Sequence, residues 1–174
     1  MSLSVPNMTL IVELSPSDIP HLRAFILDAW RLAGHSALGW AGATEENIEE
    51  ISSESFLHRL VDNPNLKVFV GKTGENVVGF CVTRKIDDQT VELAGIIVRQ
   101  DQLGKGIGSD LFKLTKRRAV ECGFATMIVK TESTNERALS FYRKKEFVEE
   151  KQVVEELINA KVNLTVLKLD LKRT

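Results

Sequence analysis

Apolar positions along the chain change period several times, and each change marks an element. Residues 9–14 alternate weakly and are rich in β-formers, which predicts a strand. Ser15-Pro16-Ser17-Asp18 then offers side-chain oxygens for capping, and the periodic stretch from Ile19 to Ala33 predicts a helix. Within it Leu22, Phe25, Ile26, Ala29 and Trp30 fall three or four apart and form one core-facing stripe. Residues 34–44 place small or flexible spacers around His35, Trp40 and Gly42, the composition of a loop beside a pocket. An acidic helical stretch follows and ends near Asn63-Pro64.

Alternation takes over from there. Residues 66–71, 77–86 and 90–98 read as strands, with turns at Thr73-Gly74-Glu75-Asn76 and Asp87-Asp88, so a three-strand antiparallel meander is predicted. Next, Ile107, Leu111 and Leu114 share a helical face, residues 125–131 read as a strand and residues 136–144 as a second amphipathic helix. A terminal pair of strands, 148–157 and 163–171, is joined at Asn159-Ala160-Lys161. No repeat, linker or low-complexity segment interrupts this order. One α/β (α+β) domain spanning residues 1–174 is expected, with a single sheet flanked by helices.

Composition narrows the function more than the fold. With 43% hydrophobic residues in 174, the chain can close one core. Its 23 basic and 24 acidic residues leave no broad cationic face to neutralise a run of phosphates, which argues against nucleic acid as a partner. The absence of any run of about 18 apolar residues, and of a secretory pattern at the start, predicts a cytoplasmic protein without a membrane partner. Cys81 and Cys122 lie in or beside apolar segments, away from any metal-type or redox-type pair, so no metal site is expected.

The chemistry concentrates where the strand ending Ile96-Ile97-Val98 runs through Arg99–Gln102 into Leu103-Gly104-Lys105-Gly106-Ile107-Gly108-Ser109 and a helix. Glycines let the main chain turn tightly and present successive N–H groups at a positive helix end, where a diphosphate can sit. Two common nucleotide motifs do not fit. A P-loop needs four residues between its first glycine and a Gly-Lys-Ser/Thr, and a dinucleotide fingerprint needs a third glycine where Leu111 stands.

This stretch, taken with Asn135-Glu136-Arg137-Ala138-Leu139-Ser140-Phe141-Tyr142-Arg143-Lys144-Lys145-Glu146-Phe147, resembles the GNAT superfamily of N-acetyltransferases. Two motifs at the family separation carry the likeness, which covers Val77 to Phe147 well. Leu103 stands where the family has Arg or Gln, and Glu146 where it has glycine. The resemblance implies a GNAT-like, mostly antiparallel sheet of six to seven strands, splayed between the fourth and fifth. It also implies acetyl-CoA as cosubstrate. Ile96, Ile97 and Val98 would pair with the pantetheine amides by strand addition, with Ala94-Gly95 as the site of the opening bulge. Leu103, Gly104, Lys105, Gly106, Ile107, Gly108 and Ser109 would hold the diphosphate, and Asn135 would touch the cofactor as well as cap its helix.

The same likeness assigns Tyr142 as the acid that protonates the departing thiolate. Glu92 coincides with the catalytic glutamate of the histone-acetylating branch and is the expected base, ahead of Glu132. Lys130 occupies the place where the ribosomal-protein branch has its glutamate. Trp30, His35 and Trp40 are expected to shape the acceptor pocket. The implied reaction is direct transfer to a primary amine in a ternary complex, since neither cysteine is placed as a nucleophile. The alternatives are a non-catalytic acyl-CoA sensor or interaction module on the same scaffold and a phosphate-binding domain for another nucleotide, which would bind ATP or NAD in preference to coenzyme A. The amine belongs to a small molecule or a protein, and the last strands offer a route to a homodimer.

Overall fold

The structure, a computed structural model, describes residues 8–33, 44–157 and 160–173. After β1 (Leu10–Glu13), the Ser15 backbone N–H and hydroxyl both donate to Asp18 Oδ2, at 3.1 and 2.6 Å. This closes the entry to α1 (Ile19–Ala33), as the oxygens at 15–18 lead one to expect. The acidic stretch forms two helices rather than one, α2 (Ile48–Ile51) and α3 (Glu54–Asp62). Ser53 separates them, because its backbone is extended and its hydroxyl accepts the Phe56 N–H at 3.2 Å to cap the second.

The predicted meander is β2 (Leu66–Thr73), β3 (Asn76–Lys85) and β4 (Thr90–Val98). It is followed by α4 (Ile107–Glu121), β5 (Thr126–Glu132), α5 (Glu136–Arg143), β6 (Val148–Leu157) and β7 (Ala160–Asp170). The final hairpin is tighter than the alternation suggests. Leu157 pairs with Ala160, so Ala160 and Lys161 belong to the strand and not to the turn.

The seven strands lie in the order β1-β2-β3-β4-β5-β7-β6. Every neighbouring pair is antiparallel except β4 and β5, which run parallel because α4 carries the chain from one to the other. This is the mixed, splayed sheet that the family resemblance implies. Each face of the sheet has its own apolar cluster. Leu93, Met127, Val129 and Leu167 meet Leu111 of α4 and Leu139 and Tyr142 of α5 on one face. On the other, Val70, Phe80, Val82 and Ile97 meet Leu22, Phe25 and Ile26 of α1 and Leu57 of α3. Asp18, itself buried, accepts a hydrogen bond from Lys72 of β2 and so ties the start of α1 to the sheet. Among the described residues no helix is long and apolar enough to cross a membrane.

Candidate active site

A one-residue irregularity opens the sheet. Val82 faces Gly95 but Thr83 faces Leu93, so Ala94 is extra in β4 and forms a bulge at the place the sequence suggests. A bulge bends its strand and increases the twist. It also exchanges the faces: Val91 and Leu93 point toward α4 and α5 before it, whereas Ile97 points toward α1 after it. β5 keeps company with β4 for only three pairs, from Thr90 with Thr126 to Glu92 with Ile128. Past Glu92 the β4 edge that faces β5 has no strand partner among the described residues, and its amides and carbonyls border a gap.

At the end of β4 the main chain turns through Gly104 and Gly106, at φ +78° and +86°. Only glycine takes these angles cheaply. A Cβ added at either position would meet nothing within 4 Å, so open space borders the turn there. Gly106 precedes the first turn of α4 and supplies no side-chain cap. The amides of Ile107, Gly108 and Ser109 therefore lack intrahelical acceptors and point to where an anion would sit. Lys145 reinforces this end of the site: its Nζ donates to Ser109 Oγ at 2.9 Å and lies 5.5 Å from the Phe141 ring centre.

Gap and turn share one cavity of about 710 Å³. Its walls include Ile96, Ile97 and Val98 from β4, Leu103, Gly104 and Gly106 from the turn, and Ile107, Gly108 and Ser109 from α4. Asn135 and Tyr142 reach it from the α5 side. Lys105, expected with them, instead lines a smaller neighbouring cavity and donates to Gln102 Oε1 at 3.0 Å. The third wall comes from α1, where His21, Ala24, Phe25, Asp28, Ala29 and Leu32 face the cavity. Their three- and four-residue spacing marks a second stripe beside the core stripe, visible in the sequence once two faces are sought. Lys130, Thr131 and Arg137 also line the cavity, and no motif marks them.

Tyr142 is only 6% exposed, with its ring 5.4 Å from that of Phe141 and 5.5 Å from that of Phe147. Burial pushes its phenol well above the usual range, and the nearby Cys81 adds to the effect, so it stays protonated through neutral pH. Cys81 is itself buried, its Sγ 3.0 Å from Thr115 Oγ1, and burial pushes its thiol up to about 12. Such a thiol is no nucleophile. Asn135 caps α5 by accepting the Ala138 N–H at 3.1 Å. Glu146 adopts φ +68°, a left-handed angle that favours glycine, the residue the family pattern has at this place.

Other expected residues stand back from the cavity. Glu92 is not a solvated surface group. It is 5% exposed and accepts hydrogen bonds from Nε (2.9 Å) and Nη2 of Arg84 on Oε2, and it does not line the cavity. Glu132, the second choice of base, does not line it either. Trp30 packs half-buried on the cluster beneath α1 rather than facing the cavity, because the lining stripe lies on an adjacent face of that helix. His35 and Trp40 fall outside the described residues.

The fold is shared with solved acetyltransferases. An N-acetyltransferase from Staphylococcus aureus Mu50 is 20% identical, with a TM-score of 0.71 over 94% of this chain and 99% of that one. The ribosomal-protein-S18-alanine N-acetyltransferase of Escherichia coli is 17% identical, with a TM-score of 0.69 over 94% of each chain. The PaiA N-acetyltransferase of Thermoplasma acidophilum, solved in complex with coenzyme A, is 18% identical, with a TM-score of 0.68 over 94% of this chain and 99% of that one. No curated protein matches the sequence. At such identities the structural likeness speaks for the fold alone, but the acetyltransferase (GNAT) family model matches residues 27–147, from within α1 through the bulge, the glycine turn and Tyr142. The chain therefore belongs to the GNAT acetyltransferase family.

Proposed function

We propose that the protein transfers the acetyl group of acetyl-CoA to a primary amine by direct attack within a ternary complex. The observation that carries this reading is the continuity of the unpaired β4 edge with the glycine turn and the free amides of α4. An extended pantetheine arm adds to that edge as a strand would, and the diphosphate rests on the turn and the helix end. This runs the thioester from the turn down toward the bulge at Ala94.

The amine nitrogen attacks the thioester carbonyl, a C–N bond forms and the C–S bond breaks. Tyr142 gives its proton to the departing thiolate, a step open to a phenol that is protonated at neutral pH. The amine proton leaves toward Glu92. Because that carboxylate is outside the cavity wall and Arg84 holds one of its oxygens, the transfer runs through a water molecule. Neither cysteine offers a covalent route: Cys81 is buried with a raised pKa, and Cys122 lies exposed at the far end of α4.

Two measurements test the proposal. Calorimetry should show coenzyme A binding in preference to ATP or NAD. A thiol-release assay with acetyl-CoA should show turnover that depends on an added amine and yields the acetamide by mass spectrometry. Tight binding of acetyl-CoA without turnover across amine classes would instead make the protein a sensor on the same scaffold.

A further inference from the structure

Lys130 is an unusual wall for an amine pocket. It is the second residue past the last β4–β5 pair, Glu92 with Ile128, and so stands across the gap from Ala94, about 7 Å beyond that pair along the strand. On β5, Met127 and Val129 point into the cluster beneath α4 and α5. Alternation puts Ile128 and Lys130 on the opposite face of the sheet. Tyr142 and Lys130 therefore reach the gap from its two sides.

α1 lies over the Lys130 side, and its level can be fixed. Asp18 meets Lys72, which pairs with Val77, while the Phe25 ring sits edge-to-face with Phe80, 5.7 Å between centres. α1 thus runs alongside β3 from Val77 toward Val82, and one further turn brings Asp28 and Ala29 to the level of Gly95, the partner of Val82. The acceptor space between α1 and the sheet is at the level of the bulge, and Lys130 forms its floor on the β5 side.

Lys130 lines the cavity, whereas its ion-pair partner Glu155 on β6 does not. The pair is partly screened, with Lys130 32% and Glu155 37% exposed in their side chains. Glu155 holds the ammonium, and two of its three donors are not used by this bond. Lys130 offers a cation to an oxyanion, while Asp28, on the same cavity wall at the level of Gly95, offers a carboxylate to an ammonium, so a molecule with both charges matches the pair. Arg99 and Arg137 also line the cavity, but they follow the end of β4 and the start of α5, at the phosphate end of the gap.

We propose that the acceptor is a small amino acid, a molecule with a primary amine and a carboxylate, and that Lys130 is the specificity residue that binds this carboxylate. The proposal rests on the acetyl-transfer reading above. The carboxylate docks on Lys130 and the amine, within a few bonds of it, faces the thioester near the bulge. No charge is created or lost in this step beyond the proton that the amine gives up on acylation.

The experiment is a thiol-release panel at fixed acetyl-CoA, with free amino acids, the matching amino-acid amides, and diamines. Amino acids should outperform their own amides. Lys130→Gln should raise KM for the amino acid roughly ten- to a hundredfold, the range of a hydrogen bond to a charged group, while KM for acetyl-CoA stays within twofold. A charge-exchanged double variant, Lys130→Glu with Glu155→Lys, keeps an ion pair but turns a carboxylate toward the cavity. It should fold and still fail to restore amino-acid use. Equal rates with acids and amides, preference for diamines, or full restoration by the exchange would overturn the assignment. No turnover with any amine would instead strike the underlying acetyl-transfer reading.

Discussion

Replacing Tyr142 by phenylalanine removes one oxygen and leaves the ring, which makes it the sharpest test of the acid. The ring is held by Phe141 and Phe147 at 5.4 and 5.5 Å and is 6% exposed, so the aromatic contacts persist and thermal stability should change by less than about 1 kcal/mol. The hydroxyl is the group that the proposed mechanism uses: Tyr142 lines the cavity, and burial raises its phenol, so it is protonated at neutral pH. A positioned general acid contributes about 10²–10⁴-fold, equivalent to roughly 3–5 kcal/mol of barrier. Turnover in the thiol-release assay should fall by that factor. KM for acetyl-CoA should stay within about twofold, because the glycine turn and β4 edge are untouched. The wild-type rate should also show no alkaline fall traceable to this phenol up to about pH 10, its ordinary value, since its ionisation lies above that. An unchanged turnover number in Tyr142→Phe, with folding verified, would remove the residue from the mechanism.

Gly106→Val puts a β-branched residue at φ +86°, where a Cβ meets nothing within 4 Å. It should fold at a cost of about 1–2 kcal/mol and lose acetyl-CoA affinity in calorimetry, and equal affinity would refute the diphosphate site. Glu146→Gly relieves the φ +68° penalty of about 1–2 kcal/mol but adds roughly 0.5–1 kcal/mol of unfolded-chain entropy. Denaturant melts should show a net gain of about 0.5–1 kcal/mol, and a loss would mean that the Glu146 side chain contributes more than its strain. Asp18 is pulled two ways. Burial raises its carboxyl, but hydrogen bonds from Lys72 and Ser15 outweigh this and hold it below the usual carboxylate value. Its stabilisation is therefore complete above that value and is lost as pH falls through the lower folded one. Asp18→Asn should cost on the order of 1–2 kcal/mol near pH 7 and flatten the acid-side decline in melting temperature. A parallel decline in both proteins would place the acid sensitivity elsewhere.

The chemistry-bearing parts legible in the sequence are those written by local rules. Ala94-Gly95 mark the bulge because a small residue and a glycine are what a strand needs to carry an extra position, and the register skips there. Gly104 and Gly106 mark the turn because positive φ selects glycine. What stayed hidden is set by tertiary placement. The lining stripe of α1, His21 through Leu32, interleaves with the core stripe, so a single amphipathic reading assigns the helix one face and misses the other. For Trp30 the two readings conflict, and the helical spacing that puts it on the core stripe prevails over the pocket role implied by the family resemblance. Glu92, expected as the base, is set opposite Arg84 by the β3–β4 register, a pairing that the linear order does not show. Lys145 cannot be placed beside the start of α4 from sequence, because its contact with Ser109 spans 36 residues.

The division of the sheet into two faces gives the proposed reaction its geometry. Tyr142 belongs to the cluster under α4 and α5, whereas α1 and Lys130 lie on the other side of the gap. A thioester lying in the gap between β4 and β5 would then be open on one side to an entering amine and on the other to the acid that receives the thiolate. The two proton transfers need not compete for one space, and the acceptor can leave as the acetamide without crossing the coenzyme. The bulge makes this division by inverting which residues of β4 face each side, so that Ile97 closes the α1 face while Ile96 and Val98 pack toward α4 and α5. Deleting Ala94 would restore β3–β4 register, return β4 to pairing range of β5 beyond Glu92, and close the gap.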